Sequence, residues 1–537
     1  MRIRKYIPIE KFSSFFTRIT KQKGKRNYFE RGQAIVITAV AFLAILAFAG
    51  LVTDAGTLYL NFTRLKRGLD AAAVAAANNI KDSDLPLAQR AAAINGAARE
   101  MLILNHIADI SSLETYTCED AGLPANFASL CPAVGENQRK LAWVQATQNS
   151  PVYFLQLFGV QSVPITTHSV GEAASLDIVL VIDTSESMGS ETPGYSINFD
   201  PTACNLANTC EPLTKAKEAA KDMVTKLFDG NDRIAIVTFN SAAGIIDPDM
   251  ATAVFLEADH TAVKNAIDSI QLHDDPNADY YNAFGTLVLG DMNPMDINGD
   301  GHYVSGVPVG FDDAFVSTCT GCGMRLAGDI LHSQGRVDSV WLIVFLTDGG
   351  TNASDLPDSS DPNNLVPAGY DNGFCGGSVN NDMWKVPFCN DIDPTTRHCG
   401  PYHTDSSECP PGSTWVGNNT PPYDVDDYAY DITDRVALMG SANPSEPVLG
   451  DAIAIYTIGL GKAGDPPYTG EELLRYMANV GEDNIRKSGA SDPCSPDPPI
   501  NTPHQTSCGQ YYYAPNADYL SEIFGKIAGS IFTRISQ

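Results

Sequence analysis

The chain has 537 residues, 44% of them hydrophobic, and a formal charge of −29. That length supports two or three domains and that apolar content supports packed cores, which excludes a disordered polymer. The charge is uneven: residues 1–31 hold ten Lys/Arg against two Glu, leaving 25 basic against 62 acidic residues in the rest, a balance that argues against nucleic acid and favours cations or basic partners.

Between Arg31 and Asp54 lie 22 residues without a charge, "GQAIVITAVAFLAILAFAGLVT". As a helix they would extend about 33 Å, enough to cross a bilayer. The expectation is a basic cytoplasmic tail (1–31), a single transmembrane helix (32–53), and export of everything after Asp54 by the positive-inside rule. A cleaved signal peptide is the competing reading. The long basic region and the length of the apolar stretch favour a retained anchor.

The twelve cysteines all follow Asp54 and fall into close couples: Cys118 and Cys131, Cys204 and Cys210, Cys319 and Cys322, Cys375 and Cys389, Cys399 and Cys409, Cys494 and Cys508. An even count confined to the exported part points to disulfides made in an oxidising compartment. Connectivity does not follow from sequence; nearest-neighbour pairing is the simplest assignment.

After the span, "DAGTLYLNFTRLKRGLDAAAVAAANNI" is rich in Ala, Leu and Arg without Pro, so the membrane helix is expected to continue outside the bilayer. A second helical stretch, "PLAQRAAAINGAAREMLILNHI", is followed by the strand-like "SLETYTC", "KLAWVQAT" and "VYFLQLFGVQSVPITTHSV", which together make residues 54–174 a helix plus a small α+β module. The order Arg-Gly-Gln, apolar span, Asp54, Leu/Arg helix and Asp-Ala-Ala-Ala resembles the N-terminus of TadE/TadG-like proteins of tight-adherence (Flp) pilus assembly, as does "YFLQLFGVQSVPITTHSVGEA" at the end of the module. One departure concerns processing: prepilin-type cleavage needs Glu five residues after a Gly, and Gly24 puts Phe29 there, with Glu30 one place late.

From residue 175 to 537 the pattern becomes α/β. "LDIVLVID", "RIAIVTF", "VWLIVFLTD" and "AIAIYTIGLG" are short apolar strands, and "LTKAKEAAKDMVTKLF", "TAVKNAIDSIQ", "MRLAGDIL" and "YLSEIFGKIAGSIFTRI" are helices. Buried strands alternating with amphipathic helices predict a doubly wound, mostly parallel sheet. In the closing helix Leu520, Ile523, Phe524, Ile527 and Ile531 form a core stripe. Residues 190–212, 274–316 and 351–450 interrupt the pattern and read as disulfide-rich surface insertions.

Parallel α/β sheets bind ligands at the carboxyl ends of their strands. Asp183, Ser185 and Ser187 follow the first strand; alone, such a string is usually a turn or helix cap. Two further pieces join it: Thr318 in the loop before an apolar helix, and Asp348 closing "VWLIVFLTDGG". Together these resemble the von Willebrand factor A domain, a Rossmann-like fold, and its metal-ion-dependent adhesion site. The preceding Gly-Gly of the family's Thr loop is here Val316-Ser317, a modest departure. The resemblance implies Mg²⁺ or Mn²⁺ held by the hydroxyls of Ser185, Ser187 and Thr318, with Asp183 and Asp348 balancing charge. One metal position would be left for the Asp or Glu carboxylate of a partner protein, a donor set suited to a hard cation.

Cys319 and Cys322, "CTGC", sit in the same loop. A local disulfide, a redox couple and half a zinc site all fit that spacing, and export favours the disulfide. In "DINGDGHY", Asp296, Asn298, Asp300 and His302 mark a candidate Ca²⁺ loop of EF-hand type, with Val307 where the closing Glu would stand and Asp312 or Asp313 as substitutes. An Asn/Gly turn is the alternative.

No His-Glu-x-x-His, Gly-x-Ser-x-Gly or phosphate-binding Gly-Lys loop occurs among the 537 residues, so no enzyme activity is expected. His302, His398 and His403 read as solvated loop residues, and Asp274-Asp275 and Asp426-Asp427 as acidic surface. The expected role is a single-pass bacterial envelope protein with its bulk periplasmic or extracellular. It would act in Flp pilus assembly or adhesion by metal-dependent protein binding. Two rivals stand beside it: a surface adhesin for host or matrix proteins independent of pili, and a scaffold with a vestigial metal site. A hydrolase hidden in 351–450 is the enzyme-class alternative and lacks a catalytic constellation.

Overall fold

The computed structural model describes residues 30–80, 86–133, 139–195, 201–240, 243–246, 254–272, 318–351, 397–399, 414–415, 425–438, 452–461, 469–484, 507 and 509–535. Helix α1 (Glu30–Ala77) is 48 residues long, as a Pro-free run of good helix formers allows. Its apolar part has the length and composition to cross a membrane and is not buried in the protein. Thr38, Thr53 and Thr57 return their hydroxyls to backbone carbonyls four residues earlier, which satisfies those polar groups within the helix itself.

After α1 come α2 (Leu87–Leu104), β1 (Ile110–Thr117), the short α3 (Ala125–Ala128), β2 (Leu141–Pro151) and β3 (Ser162–Glu172), the strands forming a sheet in the order β1-β2-β3. Two compact units are present. The first comprises Met1–Arg67, Ile107–Ser112 and Ala146–Thr167. Within it, Asp54 is buried and accepts from the backbone N–H groups of Tyr153 (2.7 Å), Phe154 (3.0 Å) and Leu155 (2.8 Å).

The second unit comprises Gly68–His106, Leu113–Gln145 and His168–Gln537. Its β-strands β4 (Ser175–Asp183), β5 (Arg233–Phe239), β6 (Ala243–Ile246), β7 (Ser339–Thr347), β10 (Ala454–Leu460) and β11 (Tyr511–Ala514) form a six-stranded sheet in the order β11-β10-β7-β4-β5-β6. All neighbours are parallel except the edge strand β6, antiparallel to β5. Strand alternation divides the core. Val179 and Val181 pack on one face with α7 (Thr320–Gln334), α8 (Val425–Ala437) and α9 (Thr469–Asp483). Ile178, Leu180 and Ile182 pack on the other with α5 (Leu213–Thr225), α6 (His260–Ser269) and α10 (Leu520–Ile535). The predicted stripe of α10 is buried there in full.

Two buried carboxylates fix the end of the sheet remote from the strand carboxyl termini. Asp177 receives Arg233 (2.7 and 2.9 Å), Arg336 (2.7 Å) and Ser339 (2.7 Å). Asp232 pairs with Lys140 at 2.6 Å, both side chains being buried, and accepts the N–H groups of Leu176 and Phe228. Lys140 immediately precedes β2, so this pair fastens the chain before β4 to the sheet itself.

Several expectations are corrected. Residues 351–450 are not only surface loop: Val425, Tyr428, Ala429 and Ile432 of α8 are fully buried against the sheet's helical layer. His398, in the two-residue strand β8 (His398–Cys399) that pairs with β9 (Thr414–Trp415), is buried rather than solvated. Asp427 is buried as well, accepting the His398 N–H at 2.6 Å with its other oxygen 3.3 Å from Nδ1. Acidic composition concealed this pair, because a buried carboxylate with partners looks in sequence like an exposed one. The 190–212 insertion contains the short helix α4 (Thr202–Ala207).

The bridges Cys118–Cys131, Cys204–Cys210 and Cys319–Cys322 are formed. Cys375, Cys389, Cys409, Cys494 and Cys508 lie outside the described residues, as does the side chain of Cys399. So do Asp274, Asp275, Asp296, Asn298, Asp300, His302, Asp312, Asp313 and His403, and with them the candidate calcium loop.

Candidate metal centre

The strand order reverses between β4 and β7, and loops leaving the carboxyl ends of two such strands diverge and open a crevice. Asp183 ends β4 and Asp348 directly follows β7. Because Ile182 is level with Leu346, Asp183 stands beside Thr347, whose hydroxyl donates to Asp183 Oδ2 at 2.5 Å. Asp183 Oδ1 accepts the Ser185 N–H at 2.8 Å. That bond bends the chain into the single 3₁₀ turn Glu186–Gly189, with Ser185 at its N-cap.

The turn brings Ser187 Oγ to 3.1 Å from Ser185 Oγ and 2.6 Å from Asp348 Oδ1, to which it donates. Thr318 is buried and joins from a third segment. Its carbonyl accepts the Thr351 hydroxyl at 3.2 Å, and Thr351 Oγ1 accepts the Thr320 N–H at 3.3 Å. Thr351 thereby clips the loop before α7 to the loop after β7. Gly349 lies between the hydroxyls: a Cβ on it would be 3.9 Å from Ser187 Oγ and 4.0 Å from Thr318 Oγ1. Cys319 donates its N–H to the Asn240 carbonyl at 2.7 Å, fixing the same loop to the end of β5.

All five predicted residues therefore gather at one end of the sheet, from three separate stretches. Thr347 was not singled out from the sequence; its place immediately before Asp348, in register with Asp183, is the signal that would have found it. Among the described residues no group of three or more His, Cys, Asp or Glu is placed to hold a metal ion; this site is one of hydroxyls around two carboxylates.

Electrostatics follow from burial. Asp183 is fully buried, and burial raises its pKa despite hydrogen bonds from Ser185 and Thr347. Asp348 is raised by burial and then by the negative charge of Asp183. Tyr195, whose hydroxyl donates to Glu186 at 3.3 Å, is pushed up to about 12 by burial, by Glu186 and by Asp348. Two neighbouring desolvated carboxylates repel each other, and either a proton or a bound cation relieves that repulsion. Beside Asp348 opens a cleft of about 100 Å³, lined in part by Gly461, Glu471, Leu474, Tyr511 and Tyr513.

Among solved structures, the chain is similar to proximal thread matrix protein 1 from the mussel byssus (10% identity, 66% of this chain and 48% of that one, TM-score 0.29), so it spans about half of that protein's length. It is also similar to the vWF domain of the type V pili tip protein Mfa5 from Porphyromonas gingivalis (14% identity, 68% and 97%, TM-score 0.31). A third is the pilus adhesin SpaC from Lactobacillus rhamnosus GG (13% identity, 74% and 33%, TM-score 0.32). No curated protein matches the chain. Residues 32–79, which cover most of α1, match the family described as putative Flp pilus-assembly TadE/G-like, and the chain thus carries a TadE/G-like segment along this apolar helix.

Proposed function

We propose that this chain is a single-pass envelope protein of Flp pilus assembly or adhesion, that it binds a protein partner at the carboxyl end of its large sheet, and that it turns over no substrate. The TadE/G-like match at residues 32–79 supports the setting. The strand order, which numbered within the sheet is the doubly wound 3-2-1-4-5-6, supports a von Willebrand A-type, Rossmann-like domain. The basic tail before α1 supports a cytoplasmic N-terminus with the remainder periplasmic or extracellular.

One observation carries the binding reading: Ser187 Oγ lies 2.6 Å from Asp348 Oδ1 and 3.1 Å from Ser185 Oγ, beside buried Asp183. Asp183, Ser185, Ser187, Thr318 and Asp348 would hold Mg²⁺ or Mn²⁺ through hard oxygen donors. Bound there, the ion would supply an electrophilic position for a partner's Asp or Glu carboxylate. Asp183 and Asp348 balance charge, Thr347 and the Ser185 N–H orient Asp183, and the adjacent cleft leaves room for the residues flanking the partner's acid.

Thermal unfolding of the full chain in detergent tests this, with Mg²⁺, Mn²⁺ or Ca²⁺ added and with Asp183→Ala alongside. A ligand at about a hundred times its dissociation constant stabilises by roughly 2.7 kcal/mol. A shift in the parent and none in the variant is expected. No shift in either favours a scaffold whose metal site is vestigial.

A further inference from the structure

The loop joining β2 to β3 is uncharged and carries large apolar side chains on its surface. From Leu141 to Gly171 the sequence has no Asp, Glu, Lys or Arg. At the turn itself, Tyr153, Leu157, Phe158 and Val160 are 63%, 78%, 71% and 40% exposed. Exposed aromatic and aliphatic side chains clustered on one short turn mark an interaction surface.

The position of the turn says what covers it. Asp54, the first charged residue after the uncharged span, binds the N–H groups of Tyr153, Phe154 and Leu155. The ring of Phe154 occupies the space that a Cβ on Gly50 would need. Gly50 lies one helical turn, about 6 Å, inside the uncharged span. The turn is thus held at and just below the level where the span meets the bilayer surface. Asn61 repeats the attachment further out, donating to Ser150 Oγ at 2.7 Å.

The backbone is prepared for such a place. Val152, Leu157, Gly159 and Val160 direct their N–H groups to Gln161, Phe154, Gln156 and Leu155 carbonyls, and Asp54 takes three more. Irregular backbone otherwise resists leaving water, because each unsatisfied group is costly there. Interfacial depth suits Tyr, Phe and Leu with a satisfied backbone, whereas the hydrocarbon centre would not.

We propose that residues 151–160 insert into the outer interface of the bilayer that α1 crosses, so that the protein is seated by a helix and a loop together. The partner is the lipid surface itself, and the inference rests on α1 spanning the membrane, independently of the metal centre.

The test uses the full chain in phosphatidylcholine/phosphatidylglycerol vesicles containing a lipid with a photoactivatable carbene on its acyl chain. Labelled peptides are mapped by mass spectrometry. Labelling is expected in the span and in 151–160, with none at Leu206, an equally apolar residue that is 84% exposed on α4. In a chain carrying Leu157→Asp and Phe158→Asp, label should be lost from the loop and kept in the span. A labelled span with an unlabelled parent loop overturns the proposal. An unlabelled span overturns the membrane reading of α1 instead.

Discussion

Ser187 donates its hydroxyl to Asp348 at 2.6 Å across 161 residues of sequence. The bond joins the turn after β4 to the turn after β7 at the crevice where strand order reverses, so two strand ends fold into one oxygen-lined site. Whatever perturbs either turn should be read out at the other.

Gly470 tests that coupling from a distance. A Cβ there would come within 2.8 Å of the Gly349 carbonyl and 3.0 Å of Gly350, so Gly470→Ala must push the Asp348 loop aside. Overpacking of this kind costs about 1–3 kcal/mol. Calorimetry should show the variant folded but with a smaller Mg²⁺-induced shift than the parent; an unchanged shift would mean that the loop yields elsewhere.

The Cys319–Cys322 bridge lies in the loop that presents Thr318, with both sulfurs buried. Replacing both by Ser releases a very short closed loop, and chain entropy puts the loss at about 2 kcal/mol. A weaker metal response is expected alongside, measured by titration calorimetry. Equal affinity in variant and parent would make the bridge purely structural and remove any case for redox control of the site.

Asp177 sets an acid limit on stability. Burial pushes its pKa up, but Arg233, Arg336 and Ser339 outweigh this and hold it below the usual carboxylate value. The native state therefore binds fewer protons than the unfolded state, and its stabilisation is complete above about pH 4 and lost as pH falls through the lowered value. Asp177→Asn should flatten the acid limb of a pH–Tm profile. At pH 7 it should lose about 3–5 kcal/mol, because two arginines are left without their carboxylate.

Lys140 and Asp232 test what a second buried pair contributes. Lys140→Met keeps the apolar stem but strands Asp232 in the core, and breaking a buried pair from one side costs about 3–5 kcal/mol. Urea unfolding should show this as a lower midpoint. The double variant Lys140→Met with Asp232→Asn should recover part of the loss; no recovery would show that Asp232 acts through Leu176 and Phe228 rather than through the lysine.

Much of the fold was legible because its signals are local. "IVLVI" and "VWLIVFL" are short apolar runs rich in β-branched residues, which suit a strand covered on both faces. The stripe of α10 and the uncharged span of α1 are equally direct. Helix α8 was not legible: Val425, Tyr428, Ala429 and Ile432 have helical spacing, but acidic residues and a Pro-, Gly- and Cys-rich neighbourhood mask it. Strands β6 and β11, four residues each, are too short to show a period. His398 and Asp427 looked like surface residues because sequence does not reveal which polar groups find partners.

The sequence by itself determined the apolar span, the alternation of strands and helices and which hydroxyl and carboxylate side chains follow the strand ends, since each depends on residue type within a few positions. Only the tertiary structure decided that β4 lies beside β7, which puts Ser187 against Asp348 and Thr347 against Asp183. It likewise decided that Asp54 receives three N–H groups from a turn about a hundred residues away. Those contacts depend on which strands pair and how the chain returns, and local composition carries no record of either.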